Sequence, residues 1–169
     1  MQKIDREFID KLRKHDVLAL DVAEHTGYYH TSDDYGEVYF PATGRQRKKD
    51  GENYHQHLAF ATWLKDFLID RKIKFVAVED VNVGSHFMAL RKLSELRGIL
   101  FLICAELDIP IVVFNVSNIK KWATGNGNAS KDMMIEYAQK RWHIDCENND
   151  NIADAVHIYF HLIARYNIT

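Results

Sequence analysis

The chain has 169 residues, of which 47% are hydrophobic and 27% charged, and a formal net charge of −2. That length holds one domain (residues 1–169) with a sizeable core, and the composition is that of an ordinary globular protein. The charge balance excludes attraction to nucleic acid by bulk electrostatics, so any such binding needs a local basic face.

The predicted elements follow in chain order. Ile4, Phe8, Ile9 and Leu12 recur at helical spacing and predict a short helix over residues 4–14. Residues 16–24 form a first strand around the apolar run Val17–Leu20. Gly27 then offers a turn into a second strand at Tyr28–Ser32. Asp33–Gly36 offers another turn, into a third strand at Glu37–Phe40. Three strands joined by tight turns make an antiparallel meander. Residues 41–53 are polar, basic and Gly-containing, and read as a mobile loop.

An amphipathic helix is predicted over 54–71, a fourth strand over 73–79 and a long apolar helix over 86–107. Pro110 ends that helix, and Ile111–Phe114 is a fifth strand. Ser117 is placed to N-cap a short helix over 118–123. Helices follow over Ala129–Trp142 and about 150–166. The expected fold is therefore α/β: a mixed five-stranded sheet, three strands antiparallel and two parallel, with helices on both faces.

The two cysteines, Cys104 and Cys146, fit neither a zinc spacing nor a disulfide framework, and Cys104 reads as a buried thiol. The first residues carry no apolar signal core, and no apolar run is long enough to span a bilayer. A cytoplasmic protein without membrane contact is expected.

Three acids stand where a sheet-based site needs them. Asp21 lies inside the first buried run, Glu79 ends the run Phe75–Val78, and Asp154 sits among Ile152, Ala153, Ala155 and Val156. An acid at the end of a buried strand is costly unless it opens into a site. Each acid taken alone also fits a turn former, a cap or a helix-surface residue. Together they suit a hard divalent cation such as Mg²⁺, which takes oxygen ligands. Asp150, four residues before Asp154, shares its face on a continuous helix.

His157 follows Asp154 by three residues, beside the site or as a packing residue. Trp122 and Trp142 read as packing residues. The basic residues fall into two stretches: Arg45, Arg47, Lys48 and Lys49, and then Lys120, Lys121 and Lys131. Each is either a nucleic-acid contact or a solvated face.

The chain resembles RuvC-type Holliday junction resolvases of the ribonuclease H-like superfamily. The matching stretches are Leu18–Asp21, Val76–Val81, Leu96-Arg97-Gly98-Ile99, Ile119–Lys131 and Asn151–Ala155. The resemblance implies that Asp21, Glu79 and Asp154 bind two Mg²⁺ ions, with Mn²⁺ as a substitute, and that Lys120 and Lys131 approach DNA phosphates. It further implies paired cuts at four-way DNA by a homodimer, leaving 5′-phosphate and 3′-hydroxyl ends.

The sequence departs from the family pattern in three places. The family's fourth acid falls on Asn151, so either Asp150 or Asn151 completes the site. Asn82 stands where an aromatic wedge is common, and the 41–53 segment is long and basic. The competing expectations are a nuclease for flaps or other structured nucleic acid, and an inactive binding scaffold. The breadth of the apolar face on the 86–107 helix makes it the expected dimer contact, with Met88 as an exposed member.

Overall fold

A computed structural model describes residues 3–42, 54–81 and 87–169, the side chains of 87–89 excepted. The basic residues Arg45, Arg47, Lys48 and Lys49, and the Met88 side chain, lie outside what is described. In chain order the elements are α1 (Arg6–Asp10), β1 (Val17–Asp21), β2 (His25–Thr31), β3 (Asp34–Tyr39), α2 (Tyr54–Asp70) and β4 (Phe75–Glu79). They continue with α3 (Phe87–Glu106), β5 (Ile111–Phe114), α4 (Val116–Thr124), α5 (Lys131–Trp142) and α6 (Asp150–Tyr166). A 3₁₀ turn at Lys14–Asp16 leads into β1.

The sheet runs β3-β2-β1-β4-β5. β1 pairs antiparallel with β2 and parallel with β4, β2 pairs antiparallel with β3, and β4 pairs parallel with β5. This is the mixed five-stranded sheet that the sequence predicts, and its order and pairing agree with the ribonuclease H-like fold that the resemblance implies. β1 and β4 are central because both of their faces are apolar. Successive strand residues point to opposite faces. Val17, Ala19, Phe75 and Ala77 therefore meet α4, α5 and α6 in one core. Leu18, Leu20, Val76 and Val78 meet α2 and α3 in the other. Among the described residues no helix is long and apolar enough to cross a membrane.

Three local expectations are corrected. Gly27 is not a turn residue: it lies within β2, opposite both Asp21 and Glu37. The chain reverses earlier, where the Thr26 hydroxyl donates to the Ala23 carbonyl at 2.6 Å. Ser117 does not cap α4. The Asn115 side chain accepts from the backbone N–H groups of Ser117 and Asn118 at 3.0 and 3.3 Å, because it stands directly before the first helical residue. α5 begins at Lys131 rather than Ala129, capped by Ser130.

Candidate active site

Strand register builds one face of the site. Glu37 lies opposite Gly27, Gly27 opposite Asp21, and Glu79 opposite Phe114. The β1–β4 pairing of Leu20 with Val78 sets Asp21 beside Glu79. Directly opposed residues share a face, so one cross-sheet row carries Glu37, Gly27, Asp21 and Glu79 toward α6. The N-terminal part of α6 lies over this row and brings in Asp154, the fifth residue of the helix. Asp21, Glu79 and Asp154, together with Lys120 and Arg97, line a single cavity. The three acids named from sequence thus converge, although they come from the first strand, the fourth strand and the last helix.

The close seating of α6 depends on Gly27. A Cβ at Gly27 would stand 1.9 Å from the Asn151 carbonyl oxygen, so any side chain there would push the helix start away. Glu37 fastens the same turn. Its Oε2 accepts from Asn149 Nδ2 at 2.8 Å and from Asn151 Nδ2 at 2.6 Å, and its Oε1 meets His25 Nδ1 at 2.8 Å. Burial pushes the Glu37 carboxyl up, but those bonds together bring it below its ordinary value. Asn149 also N-caps α6, its side chain accepting from the N–H groups of Asn151 and Ile152.

The acids repel one another. Burial raises Asp21 well above the ordinary carboxylate range, and the charges of Asp154, Glu79 and Asp150 add to the rise. Glu79 is pushed up to about 7, by burial first and Asp154 second. Asp154 is pushed up to about 6 by burial, with Lys120 opposing the rise. Strongly shifted carboxyls in a cleft mark functional sites.

Among the described residues, no three His, Cys, Asp or Glu side chains already surround a single point. The acids line a cavity rather than close a cage. The donor set still fits hard cations: it is all oxygen, and Lys120, Lys131 and Arg97 only partly offset its negative charge, since Asp21, Glu79 and Asp154 all stay raised.

Among the lysines named from sequence, Lys120 lines the cavity; Lys131 and Asp150 do not line it but act on Asp21 through their charges. Lys131, at the first residue of α5, pairs with Asp150 at the first residue of α6. Lys120 Nζ donates to the Ala129 carbonyl at 3.1 Å, which holds its ammonium beside the acids. Lys121 is exposed on α4 and does not line the cavity.

Arg97 was given no role by sequence reasoning. Its side chain is buried on α3, and Nη1 donates to the Glu79 carbonyl at 2.6 Å and lies 3.6 Å from Asp80 Oδ1. The available signal was its spacing, four after Leu93 and three before Leu100 on a core-facing stripe. Glu37 gave no such signal, because its role exists only through β2–β3 register.

His157 belongs to the core. It is fully buried, its Nε2 bonds to the Met134 carbonyl at 2.8 Å, and its Nδ1 accepts from Trp142 Nε1 at 3.2 Å. Trp142 in turn stacks on Phe160 at 4.2 Å and on Trp122 at 5.5 Å, as packing residues do.

A family model described as crossover junction endodeoxyribonuclease RuvC matches residues 20–161. The chain is 30% identical over 104 residues to the crossover junction endodeoxyribonuclease RuvC of Chlamydia trachomatis, covering 60% of this chain and 61% of that one. With the RuvC of Ehrlichia chaffeensis it shares 26% over 91 residues, 54% of this chain and 58% of the relative. The matched region thus spans about three fifths of the length of these relatives.

Among solved structures, Thermus thermophilus RuvC in complex with a Holliday junction substrate superposes with a TM-score of 0.67 at 15% identity, over 89% of this chain and 94% of that one. The yeast mitochondrial Holliday junction resolvase gives 0.62 at 15%, over 96% and 84%. These likenesses share the fold. Since the family model takes in β4, all three converging acids and most of α6, this chain belongs to the RuvC family of crossover junction endodeoxyribonucleases.

Proposed function

We propose that this chain is a metal-dependent endonuclease that resolves four-way DNA junctions, hydrolysing phosphodiester bonds in paired strands to leave 5′-phosphate and 3′-hydroxyl ends. The observation that carries the reading is the convergence of Asp21, Glu79 and Asp154 in one cavity with Lys120 beside them. The Thermus thermophilus neighbour holds a Holliday junction substrate, and that substrate is carried here to this chain.

In this reading Asp21, Glu79, Asp154 and Asp150 hold two Mg²⁺ ions, with Mn²⁺ able to replace them. When bound, such ions supply the charge that activates water and screens the departing 3′-oxygen. The chain's own residues do the positioning. Arg97 fixes the Glu79 backbone, Glu37 and Gly27 set the α6 turn that carries Asp150 and Asp154, and Lys120 and Lys131 meet the phosphates. Lys131 pairs with Asp150 here, and if cations took that carboxylate its ammonium would be free for DNA. Lys121 and the segment bearing Arg45, Arg47, Lys48 and Lys49 extend the contact along the junction arms.

Paired cutting needs two sites, so the active form is a homodimer of one-site chains, each a single nuclease unit over residues 1–169. Phe101 and Leu102 of α3 are 41% and 61% exposed and Leu58 of α2 is 63% exposed, an apolar face suited to self-association. A cytoplasmic place of action belongs to the same reading.

The test is cleavage of a labelled four-way junction beside duplex, flap and RNA–DNA hybrid controls, with Mg²⁺ and with chelator. Symmetric nicks in the junction alone, abolished by chelator, are expected. Preferential cutting of flaps or hybrids would reassign the substrate, and binding without cutting would leave a scaffold.

A further inference from the structure

The cross-sheet row that carries the acids has a rim above it. His25 and Tyr39 are paired across β2 and β3, two residues beyond Gly27 and Glu37, toward the end of the sheet where Asp21 emerges. Side chains two apart on a strand share a face, so both rings stand on the face that carries the acids. Neighbouring strands are about 4.8 Å apart and two residues span about 6.7 Å. These spacings put the His25 and Tyr39 Cα atoms about 8 and about 12 Å from that of Asp21. A nucleotide whose phosphate sits at the acids can lay its own base, or its neighbour's, at that distance.

The two rings form a stack with centroids 4.4 Å apart and planes inclined by 22°. Tyr39 is 55% exposed and the His25 side chain 52% exposed. An exposed pair held in one geometry loses conformational entropy, and something must impose it. Here Glu37 does so. A carboxylate only accepts, so His25 Nδ1 carries the proton and donates to it. The other oxygen of Glu37 is the one bonded to Asn149 and Asn151 at the start of α6. One carboxylate therefore orients the exposed stack and the helix that bears Asp154.

We propose that Tyr39 and His25 form a stacking platform for an unpaired nucleobase beside the candidate active site. The proposal rests on the nuclease reading above and adds to it the part of the substrate that this rim takes: a base pulled out of its stack next to the cut. Every base has a π-face, so the platform contributes affinity without sequence preference, and it contributes no counterion release.

The experiment uses a four-way junction with 2-aminopurine scanned through the positions flanking the branch, and Ca²⁺ in place of Mg²⁺ so that binding is read without cleavage. The wild type and Tyr39→Phe should quench the label at one position. Tyr39→Leu and Tyr39→Ala should lose the quench and bind about tenfold more weakly, with the slope of log K against log salt unchanged. Tyr39 is exposed and outside the acid cluster, and circular dichroism checks that each variant folds. Tyr39→Leu matching the wild type in quench and affinity would overturn the platform and leave the rings as cover for the edge strand β3. A reduced salt slope in Tyr39→Leu would also overturn it, because lost stacking does not change the number of phosphates neutralised. Junction binding with no Tyr39 effect removes the platform alone; failure to bind any nucleic acid removes the nuclease reading with it.

Discussion

Gly27 and Asn151 touch through their backbones: the space a Cβ would need at Gly27 is filled by the Asn151 carbonyl, 1.9 Å away. A methyl group there must displace either β2 or the first turn of α6, and neither is a flexible side-chain tip. Gly27→Ala should destabilise the fold by about 1–3 kcal/mol. It should also lower cleavage by more than about tenfold, because a displacement of about 1 Å at Asp154 is costly in a catalytic constellation. Thermal melts and cleavage assays on the same variant check this. A variant with wild-type activity would mean that α6 can be seated elsewhere without loss.

Asp21→Asn, Glu79→Gln and Asp154→Asn should each reduce cleavage at least about a hundredfold by removing a charged oxygen donor. Burial and mutual repulsion also predict a second effect. Glu79→Gln and Asp154→Asn should melt higher than the wild type in the absence of metal at about pH 8, since each removes a group ionised there from a crowded, half-buried cluster. Near-wild-type cutting by any one of them would take that residue out of the site.

The pH dependence follows from the raised acids. Glu79 titrates at about 7 against an ordinary 4.5, and Asp154 at about 6 against 3.8. A carboxyl that holds its proton more tightly when folded stabilises the protein below its unfolded pKa, and that stability is lost as pH rises through the folded value. The metal-free protein should therefore melt progressively lower from about pH 5 to about pH 8. Mg²⁺ should reverse the trend, because only ionised carboxylates hold it, and should raise Tm more at about pH 8 than at about pH 5. Melts with chelator and with Mg²⁺ across that range test both halves. A Mg²⁺ effect independent of pH would detach these acids from the cation.

Asp150 and Asn151 compete for the fourth ligand position. Asn151 spends its amide on Glu37 at 2.6 Å, whereas Asp150 pairs with Lys131 and adds to the repulsion on Asp21. Asp150→Asn should lower Mn²⁺ affinity, read by calorimetry, about tenfold or more. Asn151→Asp should lose stability instead of gaining a ligand, since it sets a carboxylate against the Glu37 oxygen. A gain in both metal affinity and activity for Asn151→Asp would reverse the assignment.

Leu102, 61% exposed on α3, is the described apolar residue best suited to test assembly. Leu102→Glu should shift a dimer toward monomer in analytical ultracentrifugation, raise the dissociation constant about tenfold or more, and convert paired nicks into single ones. A wild-type protein that is monomeric both free and on junction DNA, yet still makes paired nicks, would remove this face from the mechanism.

The large elements were legible because their hydrophobic periods are strong. β5 and α6 fall on the residues expected, and α2, β4 and α3 fall within one or two of them. The acids were legible because an ionisable group inside or at the end of an apolar run has few innocent explanations. Gly27 was misread because a glycine between polar and aromatic residues looks the same as a turn former or as a strand residue making room for a helix. Only the contact with Asn151, more than a hundred residues later, separates the two. Glu37 and Arg97 were illegible as site residues for a related reason. Each acts through a backbone or side-chain contact set by strand register or helix docking, and a single sequence states neither. The resemblance to resolvases supplied a place for Lys120 and Lys131, and the ion pair of Lys131 with Asp150 adds a contact that the resemblance did not include.

The distribution of the acids along the chain also ties the candidate site to completion of the whole fold. Asp21 stands in the first strand and Asp154 in the last helix, and the row that joins them closes only after β4 has aligned with β1 and α6 has settled over both. Contacts of such long sequence separation form late. A chain whose sheet has formed but whose α6 has not docked therefore lacks Asp150 beside the site and the cavity wall that Asp154 provides. Fraying of α6 alone would therefore dismantle the acid cluster while leaving the sheet in place.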